Sequence, residues 1–240
     1  MPRDGRPNRQ RILDVAERLV IDGGYAGTSL DQVIAAAGTS KGAFFHHFSS
    51  KADLAGALVE RYAAADVDHL GRALAATAEI SHPVARLDAF LGYFEDGADE
   101  LMSEQSSCLY VAVLTERQLI GSATTEPVRD AVLAWRRAIA DLLGAVTDAG
   151  ATRDCLDALA DHVFVTFEGA FLLCRATGEP AHMRRQLAAL RRLIGHWAAT
   201  WEIPPPGSAG VGESSPERTR TVPPAIPGRG SSAAAPGPRP

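Results

Sequence analysis

Apolar residues recur at steps of three and four along most of the chain, and nowhere does a strict apolar–polar alternation persist, so the pattern predicts an all-α protein. Ile12, Leu13, Ala16, Leu19 and Val20 share one helical face, and the Gly23-Gly24 pair stops that helix. Thr28 stands three residues before Asp31, a capping-box spacing that predicts a short helix presenting Leu30, Val33, Ile34 and Ala37. Gly38 ends it. Ser40 is placed to cap a helix over Lys41 to His47, and Ser50 with Asp53 repeats the capping pattern ahead of a long helix through Leu54, Leu58 and Tyr62.

Weaker punctuation predicts further helices. His82-Pro83 opens one carrying Leu87, Phe90, Leu91 and Phe94, and the polar run Ser103 to Ser107 reads as a loop. Cys108 to Leu119 reads as a short helix, and Glu126-Pro127 opens a longer one ending near Gly150. Asp154 to Thr177 and Pro180 to Trp201 form a last pair around Gly178-Glu179. After Trp201 the character changes: ten of the fifteen prolines fall between Ile203 and Pro240, among Gly, Ser and Ala. Such a segment buries too little apolar surface to offset its ordering entropy, so disorder is expected for 203–240.

Charge sharpens this division. The net charge of −5 and a pI near 5.8 exclude a protein that coats polyanions indiscriminately. Residues 1–51 nevertheless carry seven Lys/Arg against five Asp/Glu, whereas 52–202 carry thirteen against twenty-two. A mildly basic head on an acidic body fits local DNA binding by 8–51, with 52–202 a separate helical body. Three scattered cysteines make neither a disulfide framework nor a zinc site, and no metal or other cofactor is expected. No apolar leader opens the chain and no stretch approaches the roughly 20 apolar residues of a membrane span, so a cytoplasmic location without membrane contact is expected. With no Gly-rich phosphate loop, metal-ligand cluster or triad, the sequence reads as a non-enzyme.

The informative stretch is 28–51, TSLDQVIAAAGTSKGAFFHHFSSK. Two short helices around Gly38 make a helix-turn-helix: Ala35, Ala36 and Ala37 are small enough for a close crossing, and the second helix starts with small polar residues that do not obstruct approach to DNA. This segment resembles the DNA-binding domain of the tetracycline-repressor (TetR) family, whose pattern A-x-x-A-G-[VT]-S-x-G-x-[FLI]-Y-x-[HY]-F-x-x-K it follows from Ala37 to Lys51 except at Phe45, with Ile34 in place of the first alanine. The resemblance implies a three-helix DNA head, a larger ligand-binding and dimerisation part, and double-stranded operator DNA as partner. By position it implies that Thr28 meets a phosphate, that Thr39, Ser40, Lys41 and Gly42 face the major groove, and that Phe44 touches a thymine methyl or sugar. His47 and Lys51 then hold the far backbone, and His46 compensates for the tyrosine hydroxyl absent at Phe45. Phe44 fits partial burial equally well. His46 and His47 point about 100° apart and make poor joint metal ligands.

In the body, the final helix presents Met183, Leu187, Leu190, Ile194, Trp197 and Trp201 as a seam, and the helix before it presents Leu156, Val163, Phe164, Phe167 and Phe171 over more than one stripe. Either helix alone fits an intramolecular core. Together, and with the family's habit, they imply a two-fold four-helix interface using Leu156, Val163, Gly169, Leu187, Leu190, Ile194 and Trp197. Tyr93, Phe94, Cys108, Tyr110, Trp135, Phe164, Phe167 and Phe171 supply most large residues of the middle helices. The run CLYVAVLTE followed by Trp135 resembles the LmrA-like subgroup, which implies that these residues surround a lipophilic or aromatic effector, with Glu116 or His162 as polar handles. A repressor released by that effector is the resulting expectation. An activator with the same head, and a thiol sensor built on Cys108, are the rival readings.

Overall fold

The computed structural model describes residues 6–104, 108–116, 121–147 and 150–201. Among them the regular structure is entirely helical: α1 (Arg6–Gly23), α2 (Leu30–Ala36), α3 (Lys41–His47), α4 (Lys51–Ala76), α5 (Pro83–Asp96), α6 (Ala98–Glu104), α7 (Leu109–Thr115), α8 (Ser122–Thr147), α9 (Arg153–Thr177) and α10 (Ala181–Ala199). The Pro-rich stretch 203–240 lies outside the described residues.

The punctuation of the head is close to the pattern, with one shift. Gly24 and Gly38 sit at φ +77° and +58°, the left-handed conformation that ends α1 and turns the chain out of α2. The cap of α2 is Ser29, not Thr28: Ser29 Oγ accepts the Gln32 N–H and the Gln32 side chain accepts the Ser29 N–H. Thr28 is instead buried, its hydroxyl lying 2.8 Å from Gly24 O and 3.1 Å from Leu19 O. Ser40 and Ser50 cap α3 and α4 as the pattern predicts.

Two body elements depart from the pattern. Gly97 does not stop the chain, because it holds a right-handed conformation, and α6 follows with Asp99 and Glu100 in its first turn and Ala98 fully buried. The predicted loop therefore gives way to helix at Ser103 and Glu104; 105–107 lie outside the described residues. The α8 helix begins at Ser122, one turn ahead of Pro127. Its polar opening carries no periodic signal, yet Thr124 is buried and the hydroxyls of Thr124 and Thr125 reach Gly121 O. Pro127 lies inside α8, in its second turn, where it forgoes one bond of the helix ladder.

The core of the head does not stop at α4. One continuous apolar cluster runs from Ile12, Leu13, Phe44 and Phe48 through Leu54 and Leu58 to Leu109, Phe171 and Met183. A second cluster joins α4, α5, α8, α9 and α10 around Phe90, Ile139, Leu143 and Ile194. Ion pairs fasten the edges. Arg61 of α4 bridges Asp14 and Glu17 of α1, both at 2.5 Å, and Arg191 of α10 holds Asp88 and Glu95 of α5 at 2.6 and 3.2 Å. The α4 helix contributes to both clusters, through Leu54 and Leu58 to the first and Leu70 and Ala73 to the second.

Candidate nucleic-acid interface and ligand cavity

The α2–α3 pair is fixed from behind. Arg11 Nε donates to Ala37 O at 2.8 Å, satisfying the end of α2, and the Arg9 guanidinium lies 5.2 Å from the centre of the Phe48 ring. Phe44 and Phe48 are fully buried, with ring centres 5.6 Å apart. Successive helical residues are roughly 100° apart, so burying these two turns Lys41, Gly42, Phe45 and His46 outward. Phe45 leaves 44% of its surface exposed. A Cβ added to Gly42 would meet nothing within 4 Å, so packing within the chain sets no requirement for glycine there.

Three sequence expectations change here. Phe44, expected at the groove, has 0% exposure; the exposed aromatic of α3 is Phe45. The hydroxyl of Thr28, expected at a phosphate, is engaged by two carbonyls of the chain itself. Lys51 Nζ donates to Tyr25 O at 2.6 Å and lies 4.0 Å from the centre of the Tyr25 ring, so it clamps α4 to the loop after α1. Thr39, Ser40 and His47 remain at the rim, with the Ser40 hydroxyl capping Ala43 N at 3.1 Å. Burial, then His46 and Arg9, lowers the His47 pKa, which favours its neutral form.

Inside the body, α4, α5, α7, α8, α9 and α10 enclose a cavity of about 70 Å³. Six of the eight expected aromatic-site residues line it: Phe94, Cys108, Tyr110, Trp135, Phe164 and Phe167. Tyr93 and Phe171 do not. Tyr93 packs edge-on against His69 and Phe94, and Phe171 is core beneath Phe167. Two lining groups escape an aromatic-based search, because a single acid on a helix looks like surface charge: Asp66 on α4 and Glu168 on α9. Asp66 Oδ2 accepts from Tyr110 Oη at 2.8 Å and from Trp135 Nε1 at 2.9 Å. Burial raises its pKa and these two bonds partly offset the rise. Glu168 is pushed up to about 7, chiefly by burial and in part by Asp66, while a hydrogen bond with Cys108 pulls the other way. The expected handles are elsewhere: His162 is exposed on α9, and Glu116 accepts the backbone N–H groups of Tyr25 and Ala26 at 2.7 and 2.9 Å.

The comparisons with known proteins agree with this layout. Residues 12–58 match the model for bacterial regulatory proteins of the tetR family, and 83–192 match the C-terminal domain of LmrA/YxaF-like transcriptional regulators. The chain belongs to the TetR family. As a TetR protein it is a DNA-binding transcriptional regulator with a helix-turn-helix head. It is 28% identical over 135 residues to the transcriptional activator FasR of Mycolicibacterium smegmatis, covering 55% of this chain and 61% of FasR. It is 27% identical over 176 residues to the transcriptional repressor DhaR of a Mycobacterium species, covering 69% and 81% of the two chains. A TetR regulator from Chloroflexus aurantiacus superposes with a TM-score of 0.65 at 26% identity, over 80% of this chain and 96% of that one.

The residues expected at the interface sit mostly inward in the single chain. Leu156, Val163, Leu187, Leu190 and Ile194 are buried in the chain's own core, Trp197 is half-buried, and only Gly169 among the expected set is exposed. The most regular apolar seam of α9–α10 is therefore the inward one. Outward, α9 presents Ala158, His162, Val165, Gly169, Leu172 and Ala176, a four-three repeat of mostly small or apolar residues. Val165 is 62% exposed and Leu193, on neighbouring α10, is 63% exposed. Among the described residues no helix is long and apolar enough to cross a membrane.

Proposed function

We propose that this regulator is a homodimeric repressor, that residues 8–51 bind palindromic operator DNA, and that a small lipophilic effector entering the cavity of 52–202 releases it. The reading rests first on the exposed face of α3. Lys41, Gly42, Phe45 and His46 project from a helix whose opposite side is locked by Phe44 and Phe48, and a rigid support with a small, basic and aromatic outer face suits entry into a major groove. One such helix reads too few bases to select a site, which favours a dimer with two heads on two half-sites. The outward stripe of α9 with Leu193 offers the self-complementary surface a two-fold pair requires.

Release follows from the size of the cavity. Effector sites ordinarily span about 300–1,000 Å³, far more than the 70 Å³ enclosed here, so an effector fits only by moving the lining helices. Those helices include α4, which is clamped to α1 by Arg61 and to the loop after α1 by Lys51. An arrangement that opens the cavity and spreads the heads would be populated by the effector at the expense of the DNA-bound one. Repression is preferred to activation because such a device lowers DNA affinity on ligand binding. The thiol-sensor reading is set aside: Cys108 is buried and its pKa is raised by burial and Glu168, which keeps the thiol protonated and inert. The expected location is the cytoplasm, where the DNA is.

The deciding experiment is recovery of bound DNA from cells, followed by a reporter on the adjacent promoter. Loss of reporter output with the protein present, reversed by the Lys41→Ala/Phe45→Ala double variant, is the expected result. Output that rises with the intact protein would make it an activator.

A further inference from the structure

Building on the effector reading of the cavity, we infer that the ligand it takes is an aromatic or lipophilic cation, an amine held by the carboxylates of Glu168 and Asp66, and that anionic effectors are excluded. Among the described residues, the titratable groups that line the cavity are Tyr62 and Asp66 from α4, Cys108 and Tyr110 from the α7 region, and Glu168 from α9, with no Lys, Arg or His beside them. Every charge those groups can carry is negative.

The two acids are not equivalent. Asp66 is already held by Tyr110 and Trp135 at 2.8 and 2.9 Å, so it contributes an oriented negative charge. Glu168 Oε2 is buried with no hydrogen-bond partner among the described residues. A buried carboxylate oxygen left unpaired is costly, and a ligand N–H donor at that atom would relieve the cost with a charge-assisted bond. The walls suit the same ligand: Phe94, Trp135, Phe164 and Phe167 line the cavity, and an aromatic ring whose face meets a cation attracts it. The burial that raises the Glu168 pKa is the state a bound ammonium would reverse, since the opposite charge favours the ionised carboxylate.

The test uses the full chain and three probes that share a ring and differ in charge: benzylamine, benzyl alcohol and benzoate, titrated calorimetrically at about pH 8, where Glu168 is largely ionised. Benzylamine is expected to bind at least about tenfold more tightly than benzyl alcohol, and benzoate not to saturate. Glu168→Gln is expected to bring the amine to the level of the alcohol while leaving the alcohol unchanged. Glu168→Asp, which keeps the charge but withdraws it, should fall between and serves if the glutamine variant misfolds. Benzoate binding as well as benzylamine, an amine affinity indifferent to Glu168→Gln, or failure of all three probes overturns the inference. Operator occupancy, followed in parallel by fluorescence anisotropy, separates the two readings. Amine binding without loss of operator supports the cation site and removes the effector role, whereas release by lipophilic compounds of any charge overturns the cation site and leaves the effector role standing.

Discussion

The Glu116 carboxylate, just beyond α7, accepts the backbone N–H of Tyr25 at 2.7 Å, tying the cavity wall to the loop that leads into the DNA-binding pair. Its other oxygen takes Ala26 N at 2.9 Å. At the opposite end of the same short helix stand Cys108 and Tyr110, both lining the cavity, so a displacement there is carried over about 10 Å of helix to the head. Arg175 of α9 makes a second link, donating to Ile21 O at 3.0 Å and Asp22 O at 3.3 Å. Glu116→Ala should therefore leave operator affinity near that of the parent in the absence of effector and reduce effector-driven release by ~1–2 kcal/mol of coupling, part of the ~1–3 ordinary for such linkage. Operator titrations with and without saturating effector measure it. Gly24→Ala should act more severely, because Gly24 holds φ +77° and an added Cβ would lie 2.7 Å from Glu116 Oε1.

Adjacent phenylalanines on α3 should behave in opposite ways. Phe44→Ala empties a fully buried site in the core of the head and should cost ~3–5 kcal/mol of stability, with DNA binding lost through loss of the head's fold. Phe45→Ala removes a ring that is 44% exposed, so the melting temperature should stay close to that of the parent. Specific operator affinity should nevertheless fall by ~1–3 kcal/mol, the range for one good contact. Thermal melts beside operator titrations separate the two. Equal loss of stability in both variants would place Phe45 in the core.

The contrast also marks what the sequence could convey. Capping serines, left-handed glycines and the three-four apolar steps are local signals, and they located the end of α1, the whole of α3 and the start of α4. The direction of an aromatic on α3 is not local. Both Phe44 and Phe45 suit a helix, and only the packing of α3 against the rest of the head chooses which one is buried. The same holds for α9: its strongest apolar stripe, through Leu156 and Val163, marks the core, while the weaker stripe through Val165 and Gly169 faces out. Asp66 and Glu168 were invisible as a pair because they lie about a hundred residues apart and meet only when α4 and α9 flank one cavity. Likewise α6 and the first turn of α8 carry too few apolar residues to register a period, and tertiary contacts through Ala98 and Thr124 stabilise them.

Stability should depend on pH through Glu168. Its folded pKa of about 7 exceeds the ordinary 4.5, so between these values the folded state holds a proton that the unfolded chain has released. Stability contributed by this group is then complete below about 4.5 and declines as pH rises toward 7, levelling above, with a total of ~3 kcal/mol. Asp66, also raised, adds in the same direction. His47 and His69 are lowered, so they oppose it by favouring the folded state as pH rises through the upper part of this window. The informative quantity is therefore the difference between parent and Glu168→Gln, in which the histidine background cancels. Denaturant melts from about pH 5 to 8 should show the glutamine variant gaining on the parent as pH rises. A difference that stays flat would mean that Glu168 is not buried in solution.

The outward face of α9 offers a sharper test of assembly than its core-facing seam. Replacing Leu190 or Ile194 would create a cavity inside the monomer, and any loss of dimer would be confounded with loss of fold. Val165 is 62% exposed in the single chain, so Val165→Glu leaves the monomer's packing intact. In a two-fold pair, residues near the axis meet their own copies, and this substitution would bring two carboxylates together in an apolar contact. The expected outcome is a folded monomer by sedimentation velocity with an unchanged helical circular dichroism spectrum. Operator affinity should then fall by roughly 10²–10⁴-fold, because the second head no longer binds at the high effective concentration that the first one sets. A variant that remains dimeric would move the interface to another face of the body.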